Sequence, residues 1–188
     1  SEFPREDARH VITHARWPSQ RNIETLKKYD VLVEPQTGSL YRAADDAEAQ
    51  VPEGRYGPIP TRTYLDNGIR VMTGTDQKPI GPLLTIWSSV TRLRRSGKVL
   101  QPEQRMTLEE AIRATTIVPA YSTFEENLKG SIEVGKLADL VVLGRDILTV
   151  PKEEIRDIPV FMTMIGGKFV YINPNQDPDQ EVEYPFFG

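Results

Sequence analysis

Residues 68–76 read Gly-Ile-Arg-Val-Met-Thr-Gly-Thr-Asp, and this stretch indicates the fold class of the chain. Ile69-Arg70-Val71-Met72 predicts a strand, because β-branched and apolar side chains suit a pleated sheet. Gly68 marks the end of a helix predicted at residues 61–67, since glycine commonly follows the last helical residue. A helix that leads directly into a strand is typical of α/β folds with parallel strands.

The same alternation extends toward the amino terminus. Residues 9–15 read Arg-His-Val-Ile-Thr-His-Ala, and the β-branched residues at their centre predict a short strand. Residues 31–33 predict another strand, and residues 23–29 between the two strands have the apolar spacing of a short helix. Residues 36–60 have no clear period and predict a long loop, which in a compact domain is usually functional or mobile. Three strands alternating with helices predict a parallel α/β architecture.

Toward the carboxyl terminus the predicted structure changes from helical to antiparallel. Helices are predicted at residues 83–95 and 107–116, and Thr107 with Glu110 forms a capping box at the start of the second helix. Gly166-Gly167 predicts a tight hairpin turn. Strands are predicted around it and before it, at residues 131–132, 140–143, 160–165 and 169–172. We therefore expect a small antiparallel β unit in this part of the chain.

Composition and charge argue against a nucleic-acid-binding protein. Of the 188 residues, 38% are hydrophobic and 27% are charged, and the net charge is -4, whereas nucleic-acid binders usually present a basic face. One basic run, consisting of Arg92, Arg94, Arg95 and Lys98, follows an apolar stretch in a predicted helix. We interpret this run as a solvated helix end rather than as an anion site.

The sequence also excludes several kinds of site and contains no visible targeting signal. The absence of cysteine excludes disulfides, thiol nucleophiles and thiolate zinc sites. No apolar run is long enough to cross a bilayer, so we expect no membrane partner. The chain starts Ser1-Glu2-Phe3 without a methionine, and no signal peptide is visible. We expect the natural amino terminus to be missing and favour a cytoplasmic location.

Two polar side chains lie where predicted parallel strands end. His14 lies at the carboxyl end of its strand, and Asp76 lies just past the end of another. Parallel α/β folds place active sites at this edge, and imidazole and carboxylate suit a divalent cation such as zinc. His10 is separated from His14 by roughly 13 Å of strand, so one ion cannot bind both. Glu34 is a third candidate by position, with a solvated or salt-bridged carboxylate as the alternative, and Trp17 is either a substrate contact or a packing residue.

Four segments carry a resemblance to a known family. They are residues 9–15 and 68–76, quoted above, then Leu108-Glu109-Glu110-Ala111, and the run from 130 to 143 that reads Gly-Ser-Ile-Glu-Val-Gly-Lys-Leu-Ala-Asp-Leu-Val-Val-Leu. These motifs resemble the amidohydrolase superfamily, especially its YtcJ-like and N-acyl-amino-acid deacylase-like branch. The resemblance extends over roughly residues 9–172, and the run from 130 to 143 is its most specific part.

The resemblance implies an architecture. The fold class is α/β, and the chain corresponds to the last three β/α units of the (β/α)₈ barrel of a metal-dependent hydrolase, followed by a small β-sandwich portion. Residues 1–128 correspond to the barrel part, residues 129–173 to the β-sandwich portion, and residues 174–188 form a tail. The remaining strands of the barrel are absent, so the expected partner is the missing amino-terminal half of the barrel or a second copy of the chain.

The resemblance also implies a function. The chain looks like part of a metal-dependent hydrolase that acts on amide or other non-peptide C–N bonds of a small molecule. His14 looks like the metal ligand of the sixth strand. Asp76 looks like the eighth-strand aspartate, which binds metal and shuttles a proton from a metal-activated water. The implied cofactor is a divalent metal, with zinc expected. The alternative is that the isolated chain is a non-catalytic structural fragment or interaction module, which lacks most of the metal ligands and holds no metal.

Overall fold

The computed structural model describes residues 5–43, 49–76 and 81–175, so residues 176–188 of the expected tail lie outside the described residues. The strands and helices follow in chain order as β1 Val11–Thr13, α1 Gln20–Lys28, β2 Leu32–Glu34, α2 Thr61–Asp66, α3 Pro82–Thr91, α4 Leu108–Thr115, α5 Ile117–Ser122, β3 Leu140–Leu143, β4 Val160–Ile165 and β5 Lys168–Ile172. Further 3₁₀ helices lie at Thr37–Arg42, Pro102–Gln104 and Lys152–Asp157. Within the described ranges, no helix is long and apolar enough to cross a membrane.

The first two strands form the predicted parallel pair. β1 and β2 align Val11 with Leu32 and Thr13 with Glu34. α1 connects them, and its first turn is closed by a capping box in which Ser19 and Asn22 bond each other's backbone amide groups. The buried residues of α1, Ile23 and Leu26, face the core, so a strand, a helix and a parallel strand follow one another as the sequence predicts.

The third predicted strand is much shorter than expected. It pairs with the sheet through one parallel bridge between Val33 and Val71. Val33 donates its amide to the Arg70 carbonyl, and Met72 donates its amide to the Val33 carbonyl, both at 3.0 Å. The next amide, of Thr73, turns away and donates to the last turn of α4 instead. This tertiary bond ends the pairing that the pattern of residues 69–72 predicts.

α3 lies at the centre of the fold. Every residue from Thr85 to Thr91 is buried, which is typical of a helix packed on all sides. α3 contacts the 3₁₀ helices at Thr37–Arg42 and Lys152–Asp157, and it also contacts α4. The helix is shorter than the predicted span of 83–95, because the backbone of Arg92 turns into the left-handed region with φ of 54°. The hydrophobic core around α3 includes Ile23, Val33, Tyr64, Ile69, Val71, Trp87, Val90, Met106 and Ala111.

The prediction of an antiparallel β unit is confirmed for three of its four strands. β3, β4 and β5 form one sheet in that order, and β4 and β5 are joined at Gly166 and Gly167. Both glycines have positive φ, 54° and 79°, as a two-residue hairpin turn requires. The predicted strand at residues 131–132 is wrong. Ile132 is 88% exposed, and the segment instead enters a turn in which Lys136 donates its amide to the Glu133 carbonyl.

The prediction that the basic run after α3 is exposed to solvent is wrong for two of its four residues. Arg92 is fully buried and Arg94 is 5% exposed, whereas Arg95 and Lys98 are exposed. A buried guanidinium needs hydrogen-bond acceptors, and backbone carbonyl groups from distant loops supply them to Arg92. Charge pattern alone cannot reveal acceptors that only the tertiary fold brings together.

Candidate active site at the carboxyl ends of the parallel strands

His14 directly follows β1 at the carboxyl edge of the sheet. Its side chain is exposed, and its backbone has a φ of 69°, in the left-handed region that histidine adopts more readily than most residues. His10 lies at the other end of β1, where its carbonyl accepts the Leu32 amide at 2.8 Å. The strand therefore separates the two histidines, as the β-branched residues between them predict.

Asp76 leaves the same edge of the sheet from the segment after Val71. It is exposed and has a φ of 65°, so it shares the left-handed backbone conformation of His14. The Gly38 amide donates to the Gly74 carbonyl at 3.0 Å, and a Cβ on Gly38 would lie 2.8 Å from the Thr75 Cα. Glycine is required for this approach, which holds the segment that carries Asp76 against the 3₁₀ helix at Thr37–Arg42.

Glu34 ends β2 between these two segments. It is half-buried, and a Cβ on Gly74 would lie 2.9 Å from its Oε1 atom, so its carboxylate lies close to the backbone that leads to Asp76. Glu34 forms no ion pair with any residue that the structure describes. The salt-bridged alternative for Glu34 therefore has no support within the described part of the chain.

The imidazole and carboxylate groups at this edge are of the types that bind a divalent metal, but they are too few to form a complete site. A catalytic zinc commonly takes three protein ligands, drawn from imidazole, thiolate and carboxylate groups. Across residues 5–43, 49–76 and 81–175, no three such side chains are arranged to hold one ion. Any metal site that includes His14 and Asp76 would therefore need further ligands.

The segment after His14 is held by an unusually regular set of hydrogen bonds. Each carbonyl of residues 15–18 accepts a bond from the part of the chain between residues 55 and 64. The donors are Tyr64 Oη to Ala15 at 2.7 Å, the Ile59 amide to Arg16 at 3.0 Å, Arg55 Nη1 to Trp17 at 3.3 Å, and the Tyr56 amide to Pro18 at 2.9 Å. Burial raises the pKa of the Tyr64 hydroxyl, so it stays protonated and remains a donor. The segment is thus fixed along its whole length.

A cavity of about 330 Å³ opens between this segment and Asp76. Its wall includes Arg16, Trp17, Leu40 and Ile59, together with Asp76, but not His14. The cavity has the size of a small-molecule site and combines apolar surface with a few polar groups. Trp17 is 41% exposed and contributes to this wall, so it is not fully packed in the core. Part of the predicted loop at 36–60 forms the opposite wall, although residues 44–48 lie outside the described part of the chain.

Arg92 stabilises the wall of the cavity by hydrogen bonds to the backbone of two residues that line it, Pro58 and Ile59. Its guanidinium donates to the carbonyl groups of Leu100 at 2.6 Å, Ile59 at 3.0 Å and Pro58 at 3.1 Å. Ile59 has a φ of 57°, which is strained for a β-branched residue, and the bonds on both of its backbone groups hold it there. The sequence does not indicate that Arg92 and Arg16 lie at this cavity, because their hydrogen-bond partners in its wall are more than twenty residues away along the chain.

A family profile for the Amidohydrolase family matches residues 2–171. The chain belongs to the Amidohydrolase family. This amidohydrolase chain is 37% identical to the N-substituted formamide deformylase of Arthrobacter pascens over 116 residues. The aligned region is 60% of this chain and 21% of the Arthrobacter pascens protein. It is also 29% identical over 115 residues to a Bacillus subtilis protein named as the amidohydrolase YtcJ. That aligned region is 58% of this chain and 22% of the Bacillus subtilis protein. The chain thus spans about a fifth of the length of these relatives, and the predicted superfamily is confirmed.

A solved structure shares the fold of this amidohydrolase chain. The adenosine deaminase from Xanthomonas campestris, solved with bound zinc, superposes with a TM-score of 0.62 at 16% identity and covers 86% of the chain and 37% of that structure. At this identity the likeness concerns the fold, and it confirms the predicted mixed α/β class.

Proposed function

We propose that this chain is the carboxyl-terminal part of a metal-dependent hydrolase that cleaves amide or other non-peptide C–N bonds of a small molecule. In this proposal it supplies the last three β/α units of the barrel and a portion of a small β-sandwich. One observation carries the proposal: His14 and Asp76 leave the same edge of the parallel strands, both exposed and both held in the left-handed conformation. Parallel α/β folds place their active sites at this edge of the sheet, where the loops after the strands converge.

In the proposed reaction His14 and Asp76 would hold a divalent metal, with zinc as the expected ion. When bound, such an ion lowers the pKa of a water molecule to near neutrality and polarises the carbonyl of the substrate. The carboxylate of Asp76 would accept a proton from the attacking water and would pass it to the leaving nitrogen. The name of the Arthrobacter pascens relative, an N-substituted formamide deformylase, supports a C–N bond as the target, and the zinc in the Xanthomonas campestris structure supports the choice of metal.

The function is tested by replacing Asp76 in the complete protein. We expect Asp76→Asn to reduce kcat on an N-substituted formamide by several orders of magnitude, because the amide can neither accept nor pass on a proton. Release of formate from N-benzylformamide is the measurement, and the metal content of each sample shows whether the ion has been lost as well. Near-normal turnover by the variant would contradict the role of Asp76.

Asp30→Asn is the matched control for this experiment. Asp30 precedes β2 at the opposite end of the sheet, where its carboxylate accepts a 2.6 Å hydrogen bond from Arg70. The side chains of Arg70 and Asp30 are 43% and 70% exposed, so the ion pair contributes little to stability. The same change of charge there should leave turnover within a few-fold of the wild-type value.

A second candidate applies to the 188-residue chain by itself. In the described residues no three metal-binding side chains come together, which favours a non-catalytic fragment when the chain is isolated. We expect calorimetric titration of the isolated chain with zinc to show no tight site. Submicromolar affinity would instead indicate that the chain completes a metal site without further partners.

A further inference from the structure

The end of α2 is closed by a Schellman motif. The Gly68 amide donates to the Leu65 carbonyl at 2.9 Å, and the Ile69 amide donates to the Tyr64 carbonyl at 3.0 Å. Gly68 has a φ of 74°, the left-handed conformation that this motif requires and that glycine adopts without strain. The motif therefore satisfies two of the last carbonyl groups of the helix and connects α2 to the segment that contains Val71.

The residue before Gly68 makes this turn chemically reactive. Asn67 and Gly68 form an Asn-Gly dipeptide, in which no side chain on the second residue shields the peptide nitrogen. That nitrogen can attack the side-chain carbonyl carbon of the asparagine, and asparagine is among the thermolabile residues. Asn67 is half-buried and Gly68 is exposed, so water reaches the dipeptide.

In the folded chain both reacting groups are engaged elsewhere. The Gly68 amide is bonded to Leu65, and the side-chain amide of Asn67 donates to the Thr63 carbonyl at 2.8 Å. The backbone of Asn67, with φ of -89° and ψ of 5°, is held by the bond from its own amide to the Tyr64 carbonyl at 3.2 Å. Attack requires the Gly68 nitrogen to lose its proton and to approach the Cγ atom of Asn67. The motif must therefore open before the reaction can occur.

We propose that Asn67 is a site of spontaneous deamidation that reacts only when the end of α2 unfolds locally. In the open chain the Gly68 nitrogen forms a bond to Asn67 Cγ, the Cγ–Nδ2 bond breaks, and ammonia leaves with the proton lost from Gly68. Water then opens the cyclic imide at either carbonyl, which leaves aspartate or isoaspartate at position 67. Helix ends open locally more readily than the core, so the folded protein reacts slowly rather than not at all. This inference does not depend on the proposed function.

The product disfavours closure of the motif. A carboxylate at position 67 lies at the carboxyl end of α2, where the helix dipole is unfavourable to negative charge, and Asp66 is an acidic neighbour. Isoaspartate also adds a methylene group to the main chain, which displaces the two amide groups of the motif from their acceptors. Ile69 is 4% exposed in the core, and Val71 forms the single bridge to β2. The modification therefore loosens the segment that leads to Asp76.

The test compares deamidation in the folded protein with deamidation in a free peptide. The complete protein is incubated at mildly alkaline pH, where the amide proton is lost more readily, and samples are digested with trypsin, which releases residues 63–70. Chromatography with mass spectrometry separates the asparagine, aspartate and isoaspartate forms. The free peptide of residues 63–70, too short to hold a helix, is incubated alongside. We expect conversion to be roughly tenfold slower or more in the protein. A smaller ratio, or a free peptide that does not react, would overturn the inference.

Asp66→Gly and Asp66→Ala are matched variants that change how often the end of α2 opens. Both remove the same carboxylate, which is exposed and lies 3.5 Å from Arg62, so they alter the charge around position 67 equally. Glycine has a lower helix propensity than alanine. We expect conversion, relative to that of the matching free peptide, to be roughly two- to fivefold faster in Asp66→Gly than in Asp66→Ala. Equal relative rates would show that opening of α2 does not control the reaction, and the inference would fail.

Thermal unfolding measures the consequence of the modification. The isoaspartate form is separated from unmodified protein by ion exchange after incubation, and the unfolding of each is followed by circular dichroism. Asn67→Asp is the control, because it has the added charge with a normal main chain. We expect the isoaspartate form to unfold at a lower temperature than Asn67→Asp, and Asn67→Asp to unfold slightly below wild type. An isoaspartate form that unfolds together with wild type would show that the product does not disturb the motif.

Discussion

Glu110 links three parts of the structure through one carboxylate. It closes the capping box of α4 by accepting the Thr107 amide at 2.7 Å. The same carboxylate accepts two bonds from the guanidinium of Arg62 on α2, one of them at 2.9 Å. Arg62 also donates to the Arg105 carbonyl at 3.0 Å. The hydrogen bonds from Arg62 are the main cause that lowers the pKa of Glu110, so the charged form is favoured in the folded protein.

The lowered pKa predicts how the stability of this corner depends on pH. A carboxyl group whose pKa is lower when folded stabilises the protein above its unfolded pKa of about 4.3 and loses that contribution as pH falls through the folded value. We expect Glu110→Gln to lower the free energy of unfolding by about 1 kcal/mol at neutral pH, since both partners are only partly exposed. Urea denaturation measures the difference, which should vanish when Glu110 is protonated in both states.

Glu109→Gln is the control for this prediction. Glu109 lies in the same first turn of α4 and is exposed, so it shares the interaction with the helix dipole but not the contacts to Arg62. It should cost only a few tenths of a kcal/mol. Equal losses in the two variants would show that the helix dipole, rather than Arg62, stabilises Glu110.

At the scale of elements, Trp87 attaches α3 to the 3₁₀ helix at Lys152–Asp157. The side chain is 1% exposed, and its indole nitrogen donates to the Glu153 carbonyl at 2.9 Å. The Arg156 guanidinium lies 4.5 Å from the ring centroid. We expect Trp87→Phe to lower the free energy of unfolding by roughly 1–3 kcal/mol, because it leaves a small cavity and an unpaired carbonyl. Urea denaturation provides the measurement.

Trp17→Phe provides the comparison for Trp87→Phe. Trp17 is 41% exposed at the wall of the Asp76 cavity, so the same chemical change there should cost well under 1 kcal/mol. Similar losses at the two positions would mean that burial at α3 does not determine the stability of the attachment.

The elements differ in how far local sequence determines them. The capping box of α4 and the Gly166-Gly167 hairpin were predictable, because each depends on residues within one turn. The third strand was not, since the bond from Thr73 to α4 that ends it is a tertiary contact. α5 was missed because Ile117–Ser122 is short and contains Pro119, which reads as a break in a helix.

In the candidate site, too, some features follow from local sequence and others depend on long-range contacts. The position of His14 at the end of a strand was predictable, because a strand and the residue after it are read from one local stretch. Asp76 instead follows a single bridge at Val71, where the sequence predicts a full strand. The cavity beside them was not predictable. It requires the carbonyl groups of residues 15–18 to meet donors from residues 55–64, and it requires Arg92 to be buried by acceptors from two other loops. Charge and periodicity contain no information on these long-range partners.

At the scale of the whole molecule, apolar surface remains uncovered at the edges of both sheets. On β5, an edge strand, Phe169, Val170 and Ile172 are each more than half exposed. On β1, Ile12 is 49% exposed. Unpaired strand edges with apolar side chains are sites of association, and soluble monomers rarely expose large patches of this kind. A further part of the barrel or a second copy of the chain would cover these surfaces.

This surface predicts that the 188-residue chain, prepared alone, associates with itself as its concentration rises. We expect the double variant Phe169→Lys and Ile172→Lys to shift the chain toward monomer, because the two residues pair with Met164 and Met162, which share one face of β4, and lysine on an edge strand blocks pairing. Size exclusion with light scattering measures the mass. Leu148→Lys, at a residue 71% exposed outside the sheet, adds charge elsewhere and should leave association unchanged. A wild-type chain that remains monomeric at high micromolar concentration would show that these edges do not drive assembly.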